Sequence, residues 1–180
     1  MVRYALFALA AACAVGITPA AADVTQSSPS VFLIEAEAEI AAAPDEVWRR
    51  LVQPDRWWSD AHTYSGQARH MRLSPQAGGC WCERWNGGEI EHGRVVLAMT
   101  HQGARTLRLT AALGPLQALG AQGVLTFTIE PTANGSKLAM SYRVAGDPSL
   151  SLEAMAAPVN GVMMEQFGRL VRYSDTGSPD

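Results

Sequence analysis

The chain has 180 residues, 48% of them hydrophobic, 17% charged and 7% aromatic, with a formal net charge of −3. That length suits one domain, and the apolar fraction is too high for a disordered protein. The 14 basic side chains are spread along the chain with no dense cluster and Lys137 is the only lysine, so no basic patch exists to hold a nucleic-acid backbone.

Residues 1–22 (MVRYALFALAAACAVGITPAAA) carry Arg3, an apolar run over 4–17 and a small-residue end at 20–22. This is the pattern of a secretory signal peptide, with a run too short for a comfortable membrane span. The expected mature chain is 23–180, periplasmic or secreted, with no stable membrane insertion after cleavage. An uncleaved anchor and lipid attachment through Cys13 are the weaker readings of this segment.

Residues 23–30 are polar and read as a loose leader. From Val31, VFLIEAEAEI sets Glu35, Glu37 and Glu39 on one side of a strand with one wet face. AAAPDEVWRRLV follows, with Pro44 fit for a first helical turn, Asp45 and Glu46 at its positive end, and Val47, Trp48 and Leu51 as an apolar stripe. Pro54 restarts a second short helix carrying Trp57 and Trp58. The chain then turns to β, with strands expected near 66–73, 79–86, 89–100, 104–112, 123–131 and 136–145, separated by turn residues such as Asn86-Gly87-Gly88 and Asn134-Gly135. The connection 114–122 (GPLQALGAQ) is unusually apolar and reads as a lid or as a packed hairpin connection. Val159, Val162, Met163, Gln166, Phe167, Leu170 and Val171 recur at helical spacing, so a long C-terminal helix begins at Pro158 or is kinked there after starting near Leu152. Residues 174–180 read as a polar tail.

One strand, two short helices, six strands and a long helix make an α+β domain over 31–173, in which a curved antiparallel sheet of about seven strands wraps the last helix and leaves a gap between them. Three of these features, the segment AAPDEVWRRLVQPDRWW, the strand entry Gly78-Gly79-Cys80-Trp81 and the terminal amphipathic helix, resemble the SRPBCC superfamily, also called START-like or birch-pollen-allergen-like. The resemblance is nearest to its polyketide-cyclase and chaperone-activator-homology branches. It implies a helix-grip fold and a cavity between sheet and helix for a small hydrophobic ligand such as a lipid, isoprenoid or polyketide-like molecule. The superfold carries many activities, and the iron motifs of its oxygenase branch are absent. Export counts against a cytosolic chaperone partner; any protein partner stays unknown.

In Cys80-Trp81-Cys82-Glu83-Arg84-Trp85, alternation sets Trp81, Glu83 and Trp85 on one face and the cysteines with Arg84 on the other. A turn at Gly87-Gly88 places Glu83 opposite His92; a turn at Asn86-Gly87 slides the pairing by two and keeps the faces; a three-residue loop reverses them. In the first register Glu83 and His92 are candidate catalytic residues, an acid–base couple beside tryptophans that raise a carboxyl pKa. The plainer alternative is an outer-face ion pair. Cys80 and Cys82 are either a disulfide or two half-buried thiols. With no third ligand nearby they make no zinc site, so neither metal nor cofactor is expected.

Trp57, Trp58, His62 and Tyr64 lead out of the short helices towards the mouth of the expected cavity, with Asp60 placed to orient His62. Trp81 and Trp85 are candidate walls. Met99, Leu109 and Phe127, together with Leu107, are expected around the cavity from the sheet. Met140, Tyr142, Met163 and Phe167, with Met164, complete that set, and the Tyr142 hydroxyl is the expected polar anchor. His70 and His101 read as surface residues. Three functions fit: a carrier of a small hydrophobic molecule; a cofactor-independent cyclase, isomerase or hydrolase-like enzyme using Glu83 and His92; and a non-catalytic interaction domain docking through exposed tryptophans.

Overall fold

A computed structural model describes residues 22–180. Apart from its last residue, the expected signal segment lies outside these residues. Eight strands form one antiparallel sheet: β1 (Ala22–Ser28), β2 (Val31–Ile40), β3 (Met71–Leu73), β4 (Cys80–Trp85), β5 (Gly88–His101), β6 (Ala104–Thr110), β7 (Gln122–Thr132) and β8 (Gly135–Ala145). Their order is β1-β2-β8-β7-β6-β5-β4-β3. Helices α1 (Pro44–Leu51) and α2 (Pro54–Trp57) follow β2, α3 (Pro115–Ala118) lies between β6 and β7, and α4 (Glu153–Thr176) closes the chain. The architecture is α+β and helix-grip, as the pattern of elements predicted.

Alternation builds the core. Phe32, Ile34 and Ala36 of β2 are buried while Glu35, Glu37 and Glu39 are exposed. Leu125, Phe127 and Ile129 of β7 pair with Tyr142, Met140 and Leu138 of β8 on the same inner face. Met163, Phe167 and Leu170 of α4 are buried in the same cluster. Removing such side chains from water is the main favourable term, about 1.5–3 kcal/mol for each large residue.

Four boundaries differ from expectation. The polar leader is strand β1, which pairs with β2 from Ala22↔Ala36 to Ser28↔Val31; an edge strand with one covered side needs little apolar patterning. Of 66–73 only the last three residues are strand, because Ala68–His70 is a 3-10 turn. The connection 114–122 holds α3, whose Leu116 is fully buried, so it is packed into the fold. Helix α4 contains Pro158 and runs on through Ser174, itself buried, to end at Gly177 with φ 82°; the tail is accordingly shorter. A left-handed glycine is the usual stop for a helix.

Two bulges set which side chains face inwards. Val96 is the extra residue of β5 against β6, so Val95 pairs with Leu109 and Ala98 with Leu107. That shift turns Met99 outwards beside Thr106, 45% exposed, and removes it from the expected cavity. The second bulge is at His92.

Candidate functional site

The β4–β5 turn falls at Asn86-Gly87, giving Glu83↔Ile90 and Cys82↔Glu91. Beyond it Trp81 pairs with Gly93, leaving His92 as an unpaired extra residue of β5. A bulge of this kind re-aims a side chain. Gly93 permits it: a Cβ there would lie 2.9 Å from both Ala111 Cβ and Thr110 O. His92 thus reaches Glu83 diagonally, with Nε2 2.9 Å from Oε2. Glu83 is fully buried and His92 6% exposed.

Glu83 Oε2 also accepts from Tyr64 N at 3.1 Å, and Oε1 accepts from Ser65 N at 2.5 Å. Burial by itself pushes the carboxyl up, but hydrogen bonds from Ser65, Tyr64 and His92 outweigh it and hold Glu83 below its ordinary value. This reverses the raised carboxyl expected from the tryptophan wall: backbone amides, absent from a pattern reading, win. Burial pushes His92 down and Glu83 brings it only part of the way back. At neutral pH the pair is therefore a carboxylate and a neutral imidazole. An ionised carboxylate only accepts, so His92 Nε2 carries the proton and Nδ1 is left as an acceptor.

The imidazole lines a cavity of about 480 Å³. Met155, Pro158, Val159, Val162 and Met163 of α4 form one wall, and Trp58, His62, Thr63 and Tyr64 another. The lip is Leu113, Gly114 and Pro115. Trp58 is fixed by its Nε1 donating to His62 O at 2.8 Å and by an edge-on contact with Trp81, ring centroids 4.9 Å apart. His62 Nε2 lies 3.0 Å from Glu165 Oε2 of α4 at the mouth. Asp60 is not its partner, because Asp60 Oδ1 accepts from Ala68 N at 2.6 Å.

Of the expected ligand-binding residues, the structure brings Trp58, His62, Tyr64 and Met163 to the cavity beside His92. Trp57 is 2% exposed, with Nε1 on Leu51 O, and packs into the core beneath α1. Leu107, Leu109 and Phe127 meet Trp57 and Trp81 in that core, and Phe167 and Met140 are buried there as well. Trp81 stands behind Trp58 and His92 rather than in the wall. Trp85 caps the hairpin end against Gly88. Tyr142 is not an open anchor: its hydroxyl donates to Ala111 O at 2.9 Å and accepts from Leu113 N at 3.1 Å. Burial pushes that phenol up to about 12. Tyr142 instead ties the lip of the cavity to β8. His70 is half-buried, with Nδ1 3.0 Å from Ser65 Oγ; His101 is exposed. Docking through exposed tryptophans loses its basis, since Trp57 and Trp58 are both buried.

Cys80 and Cys82 are joined by a disulfide with Cα atoms 5.4 Å apart. A potential third ligand does stand near them, Glu91, with Oε2 3.9 Å from Cys80 Sγ. Bridged sulfurs are not thiolate ligands, and the Glu91 carboxylate is held by Arg94. Residues that the sequence reading missed at the cavity are Leu113, Met155 and Thr63, with Glu165 behind His62. The helical spacing of Val159, Val162 and Met163 is the sequence signal for the α4 wall.

No protein-family model matches the chain, and no curated protein matches it. Among solved structures, it is similar to protein SA2116 from Staphylococcus aureus at 15% identity, covering 80% of this chain and 90% of that one, with a TM-score of 0.50. It is likewise similar to DynU16, a protein of the dynemicin biosynthetic locus, at 20% identity and TM-score 0.50, covering 82% of this chain and 48% of that one. A norcoclaurine synthase mutant from Thalictrum flavum, in complex with a transition-state analogue, aligns at 18% identity over 78% of this chain and 94% of that one, with a TM-score of 0.47. The fold is of the SRPBCC, helix-grip type. At these identities an SRPBCC-type likeness speaks for the fold and leaves the chemistry to the site. Among the described residues, no helix is long and apolar enough to cross a membrane.

Proposed function

We propose that this chain is an exported helix-grip domain that binds a small, largely apolar molecule between α4 and the His92 end of the sheet. The observation that carries the reading is the 480 Å³ cavity, walled by Trp58, Met155, Val159, Val162 and Met163 and reached by one buried imidazole. That volume lies within the range of small-molecule sites, and few polar groups in an apolar wall is their usual composition. Export rests on the signal-peptide pattern of residues 1–22. Lipids, isoprenoids and polyketide-like compounds are the ligand classes in view. Native mass spectrometry of the protein recovered from a bacterial periplasm, followed by solvent extraction, tests both parts. A defined bound mass on a chain starting at Asp23 is the expected result; a protein retained in the cytoplasm with its first 22 residues attached contradicts export.

A second reading is favoured by the Glu83–His92 geometry. A neutral imidazole whose far nitrogen is held by a carboxylate is the arrangement of a general base. Under this reading His92 takes a proton from the bound molecule and Glu83 stabilises the imidazolium, as a cofactor-independent cyclase, isomerase or hydrolase requires. Replacing Glu83 by Gln then lowers turnover far more than affinity, whereas a pure carrier shows a modest change in affinity alone.

A further inference from the structure

Resting on the cavity reading above, we infer that the molecule it takes is an uncharged one bearing a hydroxyl, such as a phenol, enol or alcohol on an apolar frame, and that this hydroxyl donates to Nδ1 of His92. The hydrogen-bond pattern leads there. Glu83 is fully buried and accepts from Tyr64 N, Ser65 N and His92 Nε2. Its oxygens have no proton to give, so Nε2 is the donor and the tautomer of His92 is set from behind. Nδ1 has no partner among the described residues, yet it is not one of their sealed, unpartnered polar atoms. His92 lines the cavity and its Nε2 is turned back on Glu83, so Nδ1 is the ring nitrogen left for a bound molecule.

The remaining wall decides the ligand's charge. Among the described residues no lysine, arginine, aspartate or glutamate lines the cavity, and the charges one side chain behind its wall are both carboxylates, Glu83 behind His92 and Glu165 behind His62. An anionic ligand, such as a fatty-acid carboxylate, meets a lone-pair acceptor and a negative charge with no counter-ion, at a high desolvation cost. A pure hydrocarbon leaves Nδ1 unpaired in an apolar space, and an acceptor buried without a partner loses its hydration with nothing in return. A hydroxyl on an apolar frame satisfies both conditions. Sites of this kind, in which a polar group awaits its complement, reject the analogue that lacks it.

The test uses the mature protein and three probes with one ring frame: β-naphthol, naphthalene and β-naphthoate. Binding is read from the methyl resonances of Met155 and Met163, which lie in the wall. β-Naphthol is expected to bind about tenfold tighter than naphthalene, the worth of roughly one net hydrogen bond, with β-naphthoate weakest. His92→Phe should erase the preference for the hydroxyl. If that variant does not fold, the ring nitrogen-15 spectrum of the unaltered protein decides instead: Nδ1 of His92 should shift with β-naphthol and stay still with naphthalene. Equal binding of β-naphthol and naphthalene, or tightest binding of β-naphthoate, overturns the inference and leaves the cavity reading standing. Failure of all three probes to bind overturns the cavity reading, and this inference with it.

Discussion

His92 meets Glu83 across a bulge rather than across a ladder rung, with Nε2 2.9 Å from Oε2, although Glu83 is paired with Ile90. The extra residue in β5 lets a histidine two positions along the strand swing back over a buried carboxylate. Trp81 and Tyr64 flank the ring, at centroid distances of 5.6 and 6.0 Å. This one irregularity positions the only titratable pair among the described residues that is both buried and at the cavity.

The pair has a pH signature. Both groups are shifted down in the folded protein, Glu83 from 4.5 and His92 from 6.5, so the unfolded chain binds more protons and stability rises with pH. The His92 part is complete above about pH 6.5 and is lost as the pH falls through and below that value; the Glu83 part is lost below about pH 4.5. Urea unfolding of the native protein should therefore show falling stability between about pH 7.5 and pH 5.5. In His92→Phe that first decline should be absent.

Gly93→Ala tests the bulge. The added methyl carbon meets Ala111 Cβ and Thr110 O, both at 2.9 Å, one of them backbone. A loss of about 1–3 kcal/mol is expected from overpacking, together with a displaced His92 ring signal. An alanine variant as stable as the parent would mean that β5 and β6 are not held so close.

Tyr142 can be assigned by a matched pair of readouts. Tyr142→Phe leaves Leu113 N and Ala111 O unpaired, a cost of about 1–3 kcal/mol in unfolding free energy, with only an indirect effect on ligand affinity through the lip. Lost affinity at unchanged stability would instead make the hydroxyl a ligand contact.

Much of this was legible along the chain, and the exceptions have physical causes. Period-two alternation grouped Glu83 with Trp81 on one face of its strand and left open whether that face is inward, and the helical stripe of Val159, Val162 and Met163 marked the wall of α4. The register of the β4–β5 hairpin depends on which turn forms at residues 86–88, and three turns fit the same residues. The bulges at His92 and Val96 add one residue to a strand without any composition signal, so the sequence pattern puts Met99 inside whereas it faces out. Contacts far apart in sequence were invisible. Glu165 reaches His62 over 103 positions, and Tyr142 reaches Ala111 over 31. A hydroxyl on an apolar face looked free because its partner is a backbone carbonyl on another strand.

Charge at the mouth of the cavity should act selectively. Val162 is half-buried in the wall, so Val162→Asp introduces a carboxylate there while the helix keeps its buried face. Loss of uptake with a folded protein, seen by far-ultraviolet circular dichroism, is expected. Met99→Asp, on the exposed outer side of β5, should change stability by less than about 0.5 kcal/mol and leave uptake intact.

The central claim is that the space between α4 and the His92 bulge receives a small apolar molecule. Methionine-methyl NMR of the protein titrated with β-naphthol tests it most directly, because the methionines report from different places. Saturable shifts at Met155 and Met163, with Met99 unmoved and the response abolished by Val162→Asp, are the predicted result. No saturable shift at the cavity methyls, or shifts centred on Met99, would contradict it.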